Sequence, residues 1–375
     1  MAHVFEPGEA RNGADAPGHV DPLFWRDRRV LVTGHTGFKG AWLSLWLQTL
    51  GAHVTGLSLP KPPSEPSLYQ LAGVKDGMAG EFACDVRDPH AVAGVLLDTL
   101  PEVVIHMAAQ PLVRRSFAAP RETYETNVLG TVNLFEAVRA CGGVRALVNV
   151  TSDKCYESSE SPHGHREQDP LGGHDPYSSS KAAAEIITSV YRRSFFSDPS
   201  GPRLASARAG NVIGGGDWGE DRLIPDILRA ARSGETLRLR YPHAMRPWQH
   251  VLNPLSGYLL LAQRLCESPD HARAWNFGPH EHDAITVSSL VQRFSELWPG
   301  GIRWTADDAA HPPETHNLKL DSSQAREQLG WAPPLELERG IAATVAWYEA
   351  SRDGESPRAL TLSQIAEAQA SIGVD

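Results

Sequence analysis

The chain has 375 residues, 41% of them hydrophobic, enough to bury the core of one large domain or of a large domain with a smaller one. Its 35 basic and 45 acidic residues give a net charge of -10, which excludes an overall basic field for nucleic acid and obliges any anionic ligand to meet a local basic pocket. No segment reaches the roughly 18 uninterrupted apolar residues of a membrane-spanning helix.

In chain order, residues 1–21 lack the apolar run of a signal peptide or anchor and read as a disordered tail. Short β-branched runs then alternate with longer helical patterns. Strands are expected at Arg29–Thr33, His53–Leu57, Glu81–Asp85, Val103–His106, Ala146–Val150 and Leu204–Ala209. Between them, Val128, Val132, Phe135 and Val138 fall at helical spacing after Pro120 and stop at the Gly142-Gly143 breaker. This alternation predicts an α/β fold, a doubly wound parallel sheet with helices on both faces. From about Gly214 the texture changes to Gly- and Pro-rich loops, including Gly214-Gly215-Gly216, Arg246-Pro247-Trp248 and Pro312-Pro313, so a second, smaller α/β domain is expected. Residues 351–375 read as a polar tail with an amphipathic stretch from Leu360 to Ala370. Cys84, Cys141, Cys155 and Cys266 lack C-x-x-C spacing and read as reduced thiols, in keeping with a cytoplasmic protein.

Thr33-Gly34-His35-Thr36-Gly37-Phe38-Lys39-Gly40 directly follows the first strand and opens the helix of Trp42, Leu43, Leu45 and Leu47. Gly34 permits the tight turn, Gly37 lets backbone approach a pyrophosphate and Gly40 lets helix and strand pack closely, with the helix N-terminus facing the anion. The acidic residue that would read a ribose at the end of the second strand is missing from Thr55-Gly56-Leu57-Ser58-Leu59-Pro60, which leaves NAD versus NADP open at that point. Asp85-Val86 after the third strand is suited to an adenine edge, or Asp85 to capping the next helix. Small residues in His106-Met107-Ala108-Ala109 would let a cofactor lie against backbone at the end of the fourth strand.

Tyr177-Ser178-Ser179-Ser180-Lys181 begins a helix after Pro176, so Tyr177 and Lys181 lie one turn apart on one face. A nearby ammonium is expected to favour the phenolate and bring Tyr177 towards general-base strength. Val148-Asn149-Val150-Thr151-Ser152 runs a strand into a polar end, where open α/β sheets bind ligands, and Ser152 there would complete a Ser-Tyr-Lys triad. His163-Gly164-His165 and His280-Glu281-His282 have no third ligand at a characteristic spacing, so no metal is expected.

The T-G-x-x-G-x-x-G turn, the strand-end Ser152 and the Y-x-x-x-K pair, in this order, resemble the extended short-chain dehydrogenase/reductase family. Thr151-Ser152-Asp153-Lys154-Cys155-Tyr156, Gly214-Gly215-Gly216-Asp217-Trp218 and Arg246-Pro247-Trp248-Gln249-His250-Val251 are most similar to its nucleotide-sugar 4,6-dehydratases that act on CDP-sugars.

The resemblance implies a Rossmann domain over 22–210 and 247–280 and a substrate-binding domain over 211–246 and 281–350. It also implies tightly bound NAD regenerated in each turnover, a nucleotide-sugar substrate, and a homodimer or dimer of dimers built on the helices after Pro120 and Pro176. Cofactor contacts would come from Gly34, Thr36, Gly37, Phe38, Gly40, Asp85, Val86, Ala108, Ala109, Asn127, Tyr177 and Lys181, and substrate contacts from Asn211, Arg222 and Arg246. Tyr177 would take the C4 hydroxyl proton, Ser152 would orient that oxygen and Asp153 would protonate the departing C6 hydroxyl. Many 4,6-dehydratases carry Asp-Glu where this chain has Asp153-Lys154. A lysine beside an aspartate stays protonated unless desolvated, so the role of Lys154 as base, water positioner or enolate stabiliser stays open.

Overall fold

Seven strands form the central sheet of the computed structural model, which describes residues 18–157, 163–307, 309 and 317–372. They are β1 (Arg29–Thr33), β2 (His53–Ser58), β3 (Gly80–Ala83), β4 (Val103–His106), β5 (Ala146–Val150), β6 (Arg203–Ala209) and β7 (Ala274–Phe277). All pairings are parallel, in the order β7-β6-β5-β4-β1-β2-β3. The order reverses between β1 and β4, and such a switch point opens a crevice at the carboxyl ends of the strands. The six expected strands are all present, the third ending at Ala83 so that Asp85 lies beyond it. The seventh, Ala-Trp-Asn-Phe, is too short to show alternation, and its place is fixed by pairing with β6.

The labelled helices are α1 (Phe38–Thr49), α2 (Pro89–Thr99), α3 (Gly130–Cys141), α4 (Pro176–Ser194), α5 (Leu223–Ser233), α6 (Leu252–Glu267), α7 (Leu337–Arg352) and α8 (Pro357–Ser371). Period-two alternation sorts them into two layers. Val30 and Val32 of β1 belong to the core formed with Trp42 and Trp46 of α1 and Leu255 and Leu259 of α6. Leu31 belongs instead to the core formed with Val95 and Leu96 of α2 and Leu134 and Phe135 of α3. Each fully buried aliphatic or aromatic side chain of this kind contributes about 1.5–3 kcal/mol. The helix expected after Pro120 is present, with a π-turn over Glu125–Leu129 between Pro120–Tyr124 and α3.

Beyond β6, short strands pair in twos: Val212–Ile213 with Gln249–His250, Leu237–Leu239 with Trp304–Ala306, and Met245–Pro247 with Ala284–Thr286. The loop Gly214–Trp218 is clamped by aromatic side chains. A Cβ on Gly215 would stand 2.1 Å from the Trp347 ring, Trp42 Nε1 donates to Gly215 O at 3.0 Å, and the Tyr348 hydroxyl donates to Asp217 O at 2.8 Å.

Both expected tails need correction. Residues 1–17 and 373–375 lie outside the described residues, as does Pro312-Pro313, but Gly18 to Asp21 are packed. Val20 is buried, Gly18 N donates to Gly330 O at 3.2 Å and Asp21 N to Gln263 Oε1 at 3.1 Å. At the other end the amphipathic stretch is α8, a docked helix. It buries Ile365 and Ala368, accepts Trp347 Nε1 on Thr361 Oγ1 at 3.1 Å and sends Arg358 Nη1 to the carbonyls of Ala72 and Gly73, each at 2.9 Å.

Candidate active site

The glycine-rich turn joins β1 to α1 at the switch point. Gly34 has φ 76°, and a Cβ there would stand 2.8 Å from Ala108 N, so the turn lies directly against the loop after β4. A Cβ on Gly40 would stand 2.1 Å from Gly34 O. Gly37 caps α1 without a side-chain hydrogen bond, so Thr36 and Phe38 border an uncapped helix start. His35 turns inward instead. Its ring meets Ser58 Oγ at 2.9 Å and Glu81 Oε1 at 3.0 Å, lies where a Cβ on Gly56 would be 2.5 Å away, and is kept neutral by burial, which lowers its pKa. The cradle is therefore backbone and glycine, open to a diphosphate. Ala108 and Ala109 border it, and Thr33 Oγ1 accepts Ala108 N at 3.1 Å.

Asp85 is gripped in a fork by Arg87 at 2.6 to 3.0 Å, and this hydrogen bonding holds its carboxyl below the ordinary range. Val86 is buried beside it, its carbonyl accepting Asn133 Nδ2 at 2.9 Å. Asn127 is buried between the loop after β4 and α4. Its Oδ1 accepts Gln110 N at 2.8 Å, and its Nδ2 donates to Gln110 O at 3.1 Å and Ser180 Oγ at 2.9 Å, so it acts by holding the loop after β4 against α4.

Ser152, Asp153, Lys154, Tyr177 and Lys181 come together at the end of β5. Residues Asp153–Cys155 form a 3-10 turn in which Ser152 Oγ donates to Asp153 Oδ1 at 3.0 Å and accepts Lys154 N at 3.2 Å. Tyr177 lies in the first turn of α4, set by the Asp175 cap, which accepts Ser178 N at 2.9 Å, by Pro176, and by Tyr177 N donating to Ser116 Oγ at 3.1 Å. Lys181 Nζ donates to Val150 O at 3.3 Å.

The electrostatics differ from the sequence expectation at Tyr177. Burial pushes its phenol up to about 12, partly offset by the Ser152 hydroxyl, while burial brings Lys181 down to about 8. In this site desolvation is the largest influence on the phenol. Asp153 is raised above the usual carboxylate range, because its burial outweighs the charges of Lys154, Arg246 and Lys39 and the Ser152 hydrogen bond. Its Oδ2 is buried without a hydrogen-bond partner, and a Cβ on Gly210 would come within 3.0 Å of it.

The sequence reading passed over two features. Lys39, in the middle of the glycine-rich turn, aims its amine inward to Tyr258 OH at 3.2 Å, and burial brings it down to about 7. Behind the triad, Glu185 and Arg208 form a buried ion pair at 2.7 Å. Glu185 also accepts Thr151 Oγ1 at 2.5 Å and Ser206 Oγ at 2.7 Å, while Arg208 Nη1 reaches Tyr156 OH at 2.8 Å. Glu185 stands at the next helical repeat after Tyr177 and Lys181, the one signal that pointed to it.

On the substrate side, Asn211 O accepts Gln249 N at 3.1 Å, Arg222 caps α5 and pairs with Asp217 at 3.2 Å, and Arg246 is buried close enough to influence Asp153. His280 and His282 stack at 5.4 Å, and among the described residues no three His, Cys, Asp or Glu side chains group as metal ligands.

The family model for GDP-mannose 4,6 dehydratase matches residues 31–344. CDP-glucose 4,6-dehydratase of Salmonella typhimurium is 49% identical over 341 residues, 90% of this chain and 94% of that protein. UDP-glucose 4-epimerase of Mycolicibacterium smegmatis is 29% identical over 327 residues, 85% of this chain and 98% of that one. Of solved structures, Thermus thermophilus UDP-glucose 4-epimerase in complex with NAD superposes with a TM-score of 0.75 at 27% identity, covering 86% of this chain and 99% of that one. A Streptomyces venezuelae dTDP-glucose 4,6-dehydratase double mutant with NAD bound gives 0.73 at 25% identity, covering 88% and 99%. The chain belongs to the GDP-mannose 4,6-dehydratase family of extended short-chain dehydrogenases/reductases.

Proposed function

We propose that the protein is an NAD-dependent nucleotide-sugar 4,6-dehydratase that converts CDP-glucose to CDP-4-keto-6-deoxyglucose, a hydro-lyase with an internal redox cycle. The observation that carries this reading is Asp153: a buried carboxyl whose pKa burial raises, with one oxygen unpartnered, beside a Ser-Tyr-Lys triad. An enzyme that only inverts C4 has no task for such an acid. The 49% identity to a CDP-glucose 4,6-dehydratase supports the same choice of substrate.

The glycine cradle from Gly34 to Gly40, with Ala108, Ala109, Asp85 and Val86 around it, fits the dinucleotide, its uncapped helix start offering N–H groups to the diphosphate. When bound, NAD supplies a hydride acceptor that later returns the hydride, and a positive charge beside the triad. Tyr177 takes the proton of the C4 hydroxyl while Ser152 orients that oxygen and Lys181 holds the nicotinamide ribose. Burial opposes the Tyr177 phenolate, and positive charge next to it favours that form. The C4 ketone acidifies C5. The C5 proton passes to Lys154 or to a water that it positions, and the C6 hydroxyl leaves as water with a proton given by Asp153; when C6 afterwards receives the hydride, the proton held at that base returns to C5. Lys154 adds positive charge at Asp153, and Asn211, Arg222 and Arg246 take the substrate.

In this reading 22–210 with 247–280 is the cofactor lobe and 211–246 with 281–350 the substrate lobe. The enzyme works in the cytoplasm, in deoxysugar biosynthesis for polysaccharide, as a homodimer or dimer of dimers. Half-exposed Tyr124, Leu129, Ile186, Val190 and Phe195 on the helices after Pro120 and Pro176 support a shared apolar face. Incubation with CDP-, dTDP- and GDP-hexoses, followed by NMR, is expected to give a 4-keto-6-deoxy product from CDP-glucose. A C4 epimer as sole product overturns the reading. A monomeric mass by light scattering at micromolar concentration removes the dimer.

A further inference from the structure

At the mouth of the site the backbone of Asp221 adopts φ 56°, a left-handed conformation that few residues other than glycine accept without strain. Its carboxylate accepts Arg114 Nη1 at 2.7 Å and lies 3.8 Å from Arg240 Nη1, while Arg240 Nη2 also reaches Asp221 O at 3.4 Å. Arg114 belongs to the short helix Val113–Ala118, whose Ser116 accepts the amide of Tyr177, so it borders the catalytic cluster. Arg240 follows the strand Leu237–Leu239 on the substrate side. The Arg114–Asp221 pair therefore spans the cleft, next to Arg222, whose charge is felt by both Tyr177 and Lys39. Asp226 lies within the same field but has its own partner, Arg229, at 2.5 Å.

A half-exposed ion pair adds little to stability, so stability does not account for an aspartate in this backbone conformation holding two arginines. Nor can one carboxylate satisfy two guanidiniums, each with five N–H donors. What the arrangement does achieve is two guanidiniums gathered at one carboxylate oxygen, in a chain of net charge -10. Forked guanidinium contacts are the preferred ligands of phosphate.

We propose that Arg114 and Arg240 are two further ligands of the substrate diphosphate, and that Asp221 is an internal anion that holds them in position until the diphosphate displaces it. The proposal rests on the reading of this cleft as a nucleotide-sugar site. Asp221 holds the two guanidiniums close to one another, which lowers the ordering cost of binding but competes with the incoming phosphates.

The test is calorimetric titration of the purified protein with CDP and with CMP, alongside steady-state kinetics. Arg114→Gln and Arg240→Gln are each expected to weaken CDP roughly tenfold, the scale of one charge-assisted contact, and to weaken CMP less. KM should rise by more than kcat falls. Asp221→Asn keeps a side chain that tolerates the left-handed backbone and removes the competing charge, so CDP should bind several-fold tighter. Unchanged CDP affinity in both arginine variants overturns the proposal, as does an Asp221→Asn enzyme that binds CDP as poorly as they do, which would make the pair a brace between lobes. If wild type ignores CDP but binds UDP or dTDP, and the arginine variants weaken that ligand, the arginine assignment stands and the CDP reading falls.

Discussion

Two buried carboxylates flank the end of β5, and their pKa values are moved in opposite directions. On the cleft side, Asp153 receives one hydrogen bond, from Ser152, and has an oxygen with no partner, so burial wins and raises its pKa. On the far side, Glu185 is equally hidden, yet Arg208, Thr151 and Ser206 all donate to it, and together they overcome burial and favour the anion. Depth alone does not set the charge of a carboxyl; the number of donors does. One region has a carboxyl whose ionisation is opposed, and the other is saturated and holds the first in place through Thr151, the residue before Ser152.

Substitutions can break this contrast. The largest effect is expected from Tyr177→Phe, which removes the proton carrier of the cleft side and should abolish turnover with the melting temperature and circular dichroism unchanged. Retained activity would remove Tyr177 from the mechanism. Next comes Asp153→Asn, which keeps shape but cannot donate the proton, so elimination should slow by roughly 10²–10⁴-fold. Oxidation at C4 should survive. Stopped-flow absorbance should then show NADH that forms on mixing and persists, whereas dehydration at the wild-type rate contradicts the assignment of Asp153 as the acid.

Glu185→Gln attacks the saturated side. It strands Arg208 in the interior and should cost about 3–5 kcal/mol in chemical denaturation, while Glu185→Gln combined with Arg208→Met should recover much of that. A Glu185→Gln enzyme as stable as wild type would deny the ion pair its structural role.

The smallest effect is a pH dependence of opposite sign at the two sites. The folded pKa of Glu185 is depressed, so its stabilisation is present above the ordinary carboxylate value of 4.5 and is lost as pH falls through the lower folded value. The folded pKa of Asp153 is raised. Between 3.8 and that higher value the folded state holds a proton the unfolded state has released, and stability declines as pH rises through the window. Calorimetry of Asp153→Asn should therefore show a higher melting temperature than wild type at neutral pH and none of the gain at the acid end. A variant less stable at neutral pH would mean Asp153 is not held against its ionisation.

Much of this was legible in the sequence because it is local. The six strands, the turn from Gly34 to Gly40 and the Tyr177–Lys181 pair are defined by spacing over a few residues, and short-range backbone geometry enforces them. Features that depend on distant partners were not legible. β7 exists through its pairing with β6, Asn127 ties Gln110 to Ser180 across two elements, and the Glu185–Arg208 pair joins α4 to β6. Tyr177 shows the same limit in energetic form. Its neighbour Lys181 was evident from the spacing, but the degree of dehydration that raises the phenol depends on the whole pocket.

The aromatic clamp on the Gly214–Trp218 loop has a consequence for how the protein is made. Trp347 and Tyr348, which hold that loop, come from α7, and Trp347 is itself fastened by Thr361 of α8. During synthesis these residues leave the ribosome long after the sheet, the glycine-rich turn and the triad. A nascent chain can thus fold a nucleotide-binding sheet early, but the substrate half of its cleft stays unbraced until nearly the last helix has emerged. A chain released prematurely would present a folded sheet with no finished active site.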